Sequence, residues 1–170
     1  LWDSEPAKKA FIQSAKIAKE SGTKIVLSLS DSFCVDRHRE SFIYLIKDYI
    51  DILFCNEDEI KSLFEEKSLE KCKTNIQSIC DLSVITLGSK GSIIINKGEI
   101  IKVKPILFEK LVDTTGAGDI YAGGFLHGII KNLPLITCGK IASLCAGCII
   151  SQLGSRSNID LKQLIDDNVN

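Results

Sequence analysis

The segment Asp113-Thr114-Thr115-Gly116-Ala117-Gly118-Asp119 brings carboxylates, hydroxyls and glycines together within one short run. Side chains this small let backbone N–H groups come close to an anion. A helix starting at Asp119 would aim the positive end of its dipole at the same point. Such a site is an anion hole sized for a phosphoryl group. A carboxylate at its edge can accept a proton from a hydroxyl held in line. A glycine turn that only starts a helix accounts for Gly116 and Gly118, but not for the Asp and Thr residues flanking them. Other phosphate signatures fail on spacing. A dinucleotide fingerprint needs glycine where Tyr121 stands, and no G-x-x-x-x-G-K-[ST] run occurs.

The elements that must hold this segment alternate along the chain. Ser4 to Ser21 reads as an amphipathic helix with Ser4 as N-cap, Pro6 in its first turn and Gly22 as its stop. A buried strand follows over Lys24–Ser30, then a helix from about Asp36 to Tyr49 and a short strand over Ile52–Cys55. Helices are expected over Glu57–Phe64 and Leu69–Cys80, and a strand over Val84–Leu87. Ser92–Asn96 and Glu99–Val103 read as a hairpin turning at Lys97-Gly98. After Pro105 an irregular stretch leads to helices over Asp119–Lys131, Leu135–Gln152 and Leu161–Asp166. This order implies an α/β fold, with a mostly parallel sheet covered by helices on both faces. Ligands bind such sheets beyond the carboxyl ends of the strands. The segments to watch are therefore Ser30-Asp31, Asn56-Glu57-Asp58-Glu59 and Gly88-Ser89-Lys90-Gly91.

Composition narrows the partners. With 170 residues, 45% of them hydrophobic, the chain can bury a sizeable core, and its net charge of -1 gives no general attraction to nucleic acid or an anionic membrane. The apolar runs are too short and too often interrupted to span a membrane. Leu1-Trp2-Asp3-Ser4-Glu5 does not read as a signal peptide, so a cytoplasmic location is expected. The chain starts at Leu1 and has no Met, which points to a piece of a longer protein. Its 7 cysteines lack the spacing of a disulfide framework and suit reduced, buried thiols. Cys145-Ala146-Gly147-Cys148 could in principle hold zinc or act as a redox pair. Its place inside a helical pattern favours packed core residues.

Asp113-Thr114-Thr115-Gly116-Ala117-Gly118-Asp119, continued by Ile120-Tyr121-Ala122-Gly123-Gly124-Phe125-Leu126, closely resembles the C-terminal signature of ribokinase-like (PfkB-type) carbohydrate and nucleoside kinases. Asn56-Glu57-Asp58-Glu59 is similar to the family's N-x-x-E motif. Val84-Ile85-Thr86-Leu87-Gly88 with Gly91 is similar to its T-x-G segment. The order of the three motifs agrees as well. The resemblance implies a ribokinase-like fold of which residues 1–170 are the C-terminal nucleotide-binding and catalytic portion, the N-terminal substrate half and lid lying upstream. A full-length homodimer is expected on the same grounds.

The resemblance further implies transfer of the ATP γ-phosphate to a hydroxymethyl group of a small sugar or nucleoside, whether adenosine-like or ribose- or fructose-like. A catalytically silent nucleotide-binding protein of the same fold is the alternative. Asp119 would be the general base, and the N–H groups of Gly116, Ala117 and Gly118 would hold the transferred phosphoryl. Thr86, Gly88 and Gly91 would line the nucleotide, or form only a strand end and a turn. Asn56 and Glu59 would organise Mg²⁺ through water, or cap a helix, or both. Asp113 and Thr115, with backbone near Gly154-Ser155, would hold a monovalent cation such as K⁺ beside the anion hole. Leu27-Ser28-Leu29-Ser30-Asp31-Ser32-Phe33 and Cys34-Val35-Asp36-Arg37 are similar to bacterial adenosine kinase-like members. With its acceptor half missing, the chain alone is expected to be inactive.

Overall fold

A computed structural model describes residues 2–106 and 111–169. The irregular stretch expected after Pro105 falls partly on 107–110, outside the described residues. The chain divides into two compact units, Leu1–Ile85 with Ile95–Ile100, and Thr86–Ile94 with Ile101–Asn170.

The elements are α1 (Glu5–Glu20), β1 (Val26–Ser28), α2 (Ser32–Tyr49), β2 (Ile52–Asn56), α3 (Glu57–Phe64), α4 (Leu69–Gln77) and β3 (Leu82–Thr86). They continue with β4 (Ser92–Asn96), β5 (Glu99–Val103), α5 (Ala117–Ile130), α6 (Leu135–Ile150) and α7 (Leu161–Asn168). The 5 strands form one mostly parallel sheet in the order β1-β2-β3-β4-β5, as the alternation implied. β1 runs parallel to β2, with Val26 opposite Ile52, Leu27 opposite Leu53 and Ser28 opposite Phe54. The β4–β5 hairpin turns at Lys97 and Gly98, both at positive φ (48° and 91°), the backbone that two-residue hairpin turns require.

In the first unit the core gathers around Val35, Leu53, Ile60, Leu63, Ile76 and Val84, all fully buried. α2 starts four residues earlier than its apolar spacing suggested. The Asp31 carboxylate accepts from Phe33 N (3.0 Å) and Cys34 N (3.2 Å), so a side-chain cap fixes the start. The exposed Phe33 hid that first turn from any hydrophobic period. β1 is shorter than Lys24–Ser30 because Ser30 turns left-handed at φ 64°, although Leu29 N still bonds to Phe54 O at 3.1 Å. Ser4 sits at the N-cap of α1 but makes no side-chain cap bond.

In the second unit α5 packs on α6 around Phe125, Ile141 and Ile149, which are fully buried. Cys145 and Cys148 are buried free thiols on α6, and burial beside Cys148 pushes the Cys145 thiol up to about 11. Both lie among the buried residues of α6, 2% and 4% exposed. No helix among them is long and apolar enough to cross a membrane.

Candidate active site

The start of α5 lies at Ala117 rather than Asp119, which makes Asp119 the third residue of the helix. The N-cap, Gly116, is left-handed at φ 79°, and a Cβ there would lie 2.6 Å from the Ser155 Cβ, so both conformation and space demand glycine. Having no side chain, Gly116 caps nothing. Ala117 N bonds to Thr114 O (3.2 Å) and Ile120 N to Gly116 O (3.0 Å). Between them, the N–H groups of Gly118 and Asp119 have no partner among the described residues. The exposed Asp119 side chain likewise makes no hydrogen bond or ion pair there. Uncapped N–H groups, the helix dipole and a free carboxylate thus converge on one helix end.

The loop before α5 is held from behind. Asp113 Oδ1 accepts from Thr115 N (2.9 Å) and Thr115 Oγ1 (2.7 Å), and Oδ2 accepts from Gly154 N (3.0 Å). These donors hold the Asp113 carboxyl below its ordinary value. Val112 N bonds to Ile150 O at 2.8 Å, tying the same loop to the end of α6. Asp113, Thr115 and the Gly154-Ser155 region therefore do meet, and what they visibly do is anchor the loop before α5.

After β3 the chain makes a tight 3-10 turn over Gly88–Lys90, closed by Leu87 N to Gly91 O (2.8 Å) and Gly91 N to Gly88 O (3.1 Å). A Cβ on Gly91, at φ 90°, would lie 2.1 Å from Val103 O, so this glycine lets β4 begin hard against the end of β5. Gly88, at φ 58°, faces open space.

This turn and the start of α5 line a single cavity of about 580 Å³ within the second unit. Thr86, Gly88, Gly91, Ala117 and Gly118, expected from sequence to serve one ligand, share its wall. Gly116, Thr115, Asp113 and Asp119 belong to the adjoining loop and helix start rather than to the wall itself. Sequence reasoning missed the α6 side, where Ser143, Ala146, Gly147 and Ile150 complete the lining. Their i, i+3, i+4, i+7 spacing, mostly small residues on an apolar helix, was the signal available. It also missed Tyr121, buried in the cavity floor with its hydroxyl 2.6 Å from Ser92 Oγ.

Asn56 and Glu59 lie in the first unit, at the start of α3. They form a reciprocal capping box: Glu59 N donates to Asn56 Oδ1 (2.8 Å) and Asn56 N donates to Glu59 Oε2 (2.9 Å). Asn56 Nδ2 adds a bond to Glu59 Oε1 at 2.8 Å. Glu59 is 5% exposed, and burial raises its carboxyl above the ordinary value despite the Asn56 bond. The capping expectation for this pair is met.

Comparison with known proteins bears on the fold and the family. The chain superposes on a probable sugar kinase from Rhizobium etli with a TM-score of 0.95 at 38% identity, over 98% of this chain and 51% of that one. Adenosine kinase from Sinorhizobium meliloti gives 0.95 at 37%, again over 98% and 51%. A ribokinase from Lactococcus lactis is 30% identical over 145 residues, 85% of this chain and 45% of that protein. The chain thus spans about half the length of the relatives it matches. The model of the pfkB family of carbohydrate kinases matches residues 3–162, and the chain belongs to that family.

Proposed function

We propose that the protein to which this chain belongs transfers the γ-phosphoryl group of ATP to a hydroxymethyl group of a sugar or nucleoside. The observation that carries the reading is the uncapped start of α5, with free N–H groups at Gly118 and Asp119, on a cavity whose other wall is the Gly88–Gly91 turn. The turn and the small residues of α6 receive the nucleoside part of ATP, and the α5 start receives its terminal phosphoryl. Phosphoryl transfer asks for in-line placement and charge stabilisation, which fixed N–H donors supply without reorganising. Asp119, exposed beside those donors, accepts the proton of the attacking hydroxyl.

The residues present fit the ions such a reaction uses. Mg²⁺ keeps much of its water and is held largely by phosphate oxygens. When bound, Mg²⁺ neutralises phosphate charge. Asn56 and Glu59 would organise its water shell, each Glu59 oxygen keeping acceptor capacity beyond its bond to Asn56. Asp113 is held ionised and Oδ2 carries one bond from Gly154, which leaves it able to face a K⁺ ion.

The test is a γ-phosphoryl transfer assay of the full-length protein against a panel of sugars and nucleosides. Acceptor-dependent ADP formation is expected. ATP binding with no turnover on any acceptor would favour a silent nucleotide-binding protein and overturn the kinase reading.

A further inference from the structure

Tyr121, in the cavity lining, and the neighbouring Ser92 carry two buried hydroxyls to which the proposed phosphate chemistry gives no part. Tyr121 Oη lies 2.6 Å from Ser92 Oγ, within hydrogen-bond distance. Tyr121 is 5% and Ser92 2% exposed. A phenylalanine ring would fill the Tyr121 site equally well, so packing does not require the hydroxyl. Polar groups buried this deeply cost free energy unless they bond to one another, and once fully bonded they hold their elements in a single arrangement.

The elements they join are informative. Tyr121 sits two residues beyond Asp119 and one helical turn beyond Ala117 on α5. Ser92 opens β4 directly after Gly91, whose close approach to Val103 O gives it a rigid seat. Among the described residues, no hydrogen bond joins the first turn of α5 directly to the Gly88–Gly91 turn. The hydroxyl pair makes that connection beneath the cavity.

We propose that Tyr121 is a positioning residue whose hydroxyl, bonded to Ser92, fixes the start of α5 at a set distance from the Gly88–Gly91 turn. A nucleotide held by the turn then brings its terminal phosphoryl into register with the N–H groups of Gly118 and Asp119. The proposal rests on the nucleotide reading of the cavity. Without the brace each wall still binds its own part of the ligand, and what is lost is simultaneous engagement.

The test compares the affinities of the full-length protein for Mg²⁺–ADP and for a non-hydrolysable Mg²⁺–ATP analogue that carries the third phosphate. Tyr121→Phe should shrink the preference for the ATP analogue by about tenfold, the size of one lost buried hydrogen bond, while ADP affinity stays within about twofold. Ser92→Ala should do the same and carries the test if Tyr121→Phe does not fold. The double variant should add nothing further, and Ser92→Thr should restore the preference. A merely structural role would lower the melting temperature and leave the preference intact, and that result overturns the brace. A wild-type protein that binds neither nucleotide would overturn the nucleotide reading itself, and this proposal with it.

Discussion

α3 and α5 both carry an acid as their third residue, Glu59 in one and Asp119 in the other, but they begin in opposite ways. α3 starts at Asn56, whose side chain takes up the Glu59 N–H while the Glu59 carboxylate takes up the Asn56 N–H. Donors and acid alike are used by the helix itself, and the carboxylate is buried. α5 starts at a glycine with no side chain to offer, the Gly118 and Asp119 N–H groups have no partner among the described residues, and its acid is exposed. The bonds that stabilise a helix start are the ones an anion would otherwise receive. A helix end without such bonds must be held by something else. Here that is the Asp113 carboxylate with Thr115 and Gly154, and the close seat of Gly116 against Ser155.

The contrast can be broken most severely at Gly116. Gly116→Ala forces a side chain into the left-handed region and against Ser155, at a cost of about 1–3 kcal/mol in stability. The same shift should displace the Gly118 and Asp119 donors and lower the transfer rate by at least about a hundredfold. Kinetics beside a denaturant curve would show both losses; a rate within tenfold of wild type would detach the left-handed turn from function.

Glu59 offers a sharper cut between the two uses of a helix start. If it organises Mg²⁺ water as well as capping α3, Glu59→Gln should raise the Mg²⁺ concentration for half-maximal rate by about tenfold. A Mg²⁺ titration with an unchanged midpoint, together with a lowered melting temperature, would leave Glu59 to capping alone. Asn56→Ala removes the cap and should cost about 1 kcal/mol of stability, read from chemical denaturation.

The smallest effect concerns the pH dependence of stability, where two carboxylates act with opposite signs. Burial holds Glu59 above its ordinary value of 4.5, so its contribution is full below that value and lost as pH rises through the folded one. Hydrogen bonds hold Asp113 below its ordinary value of 3.8, so its contribution is full above that value and lost as pH falls through the folded one. Denaturation curves between pH 3 and 7, a span set by these ordinary values, should show Glu59→Gln flattening the decline on the alkaline side. Asp113→Asn should flatten it on the acidic side. The same sign for both variants would contradict this account.

Much of this was legible in the sequence because the signals were local. The Lys97-Gly98 turn names its own backbone, Asn56 and Glu59 stand at capping-box spacing, and Gly116 marks a left-handed turn into a helix. The element boundaries that moved did so where a side chain overrode periodicity. Asp31 started α2 early, and Ser30 ended β1 by turning left-handed. What the sequence hid was contact across the fold. Tyr121 read as one more residue of an apolar helix, and nothing local paired it with Ser92, 29 positions away. Asp113 and Gly154, 41 positions apart, meet only once α5 and α6 have packed.

The central claim is that the free carboxylate of Asp119 serves chemistry and not the fold. Its most direct test is Asp119→Asn in the full-length protein, with transfer rate, ATP affinity and melting temperature measured together. The account predicts a rate lower by at least about a hundredfold, with ATP affinity within a few-fold and an unchanged melting temperature, because the carboxylate supports no other group. A variant that keeps more than about a tenth of the wild-type rate would remove Asp119 from the base role and contradict the account.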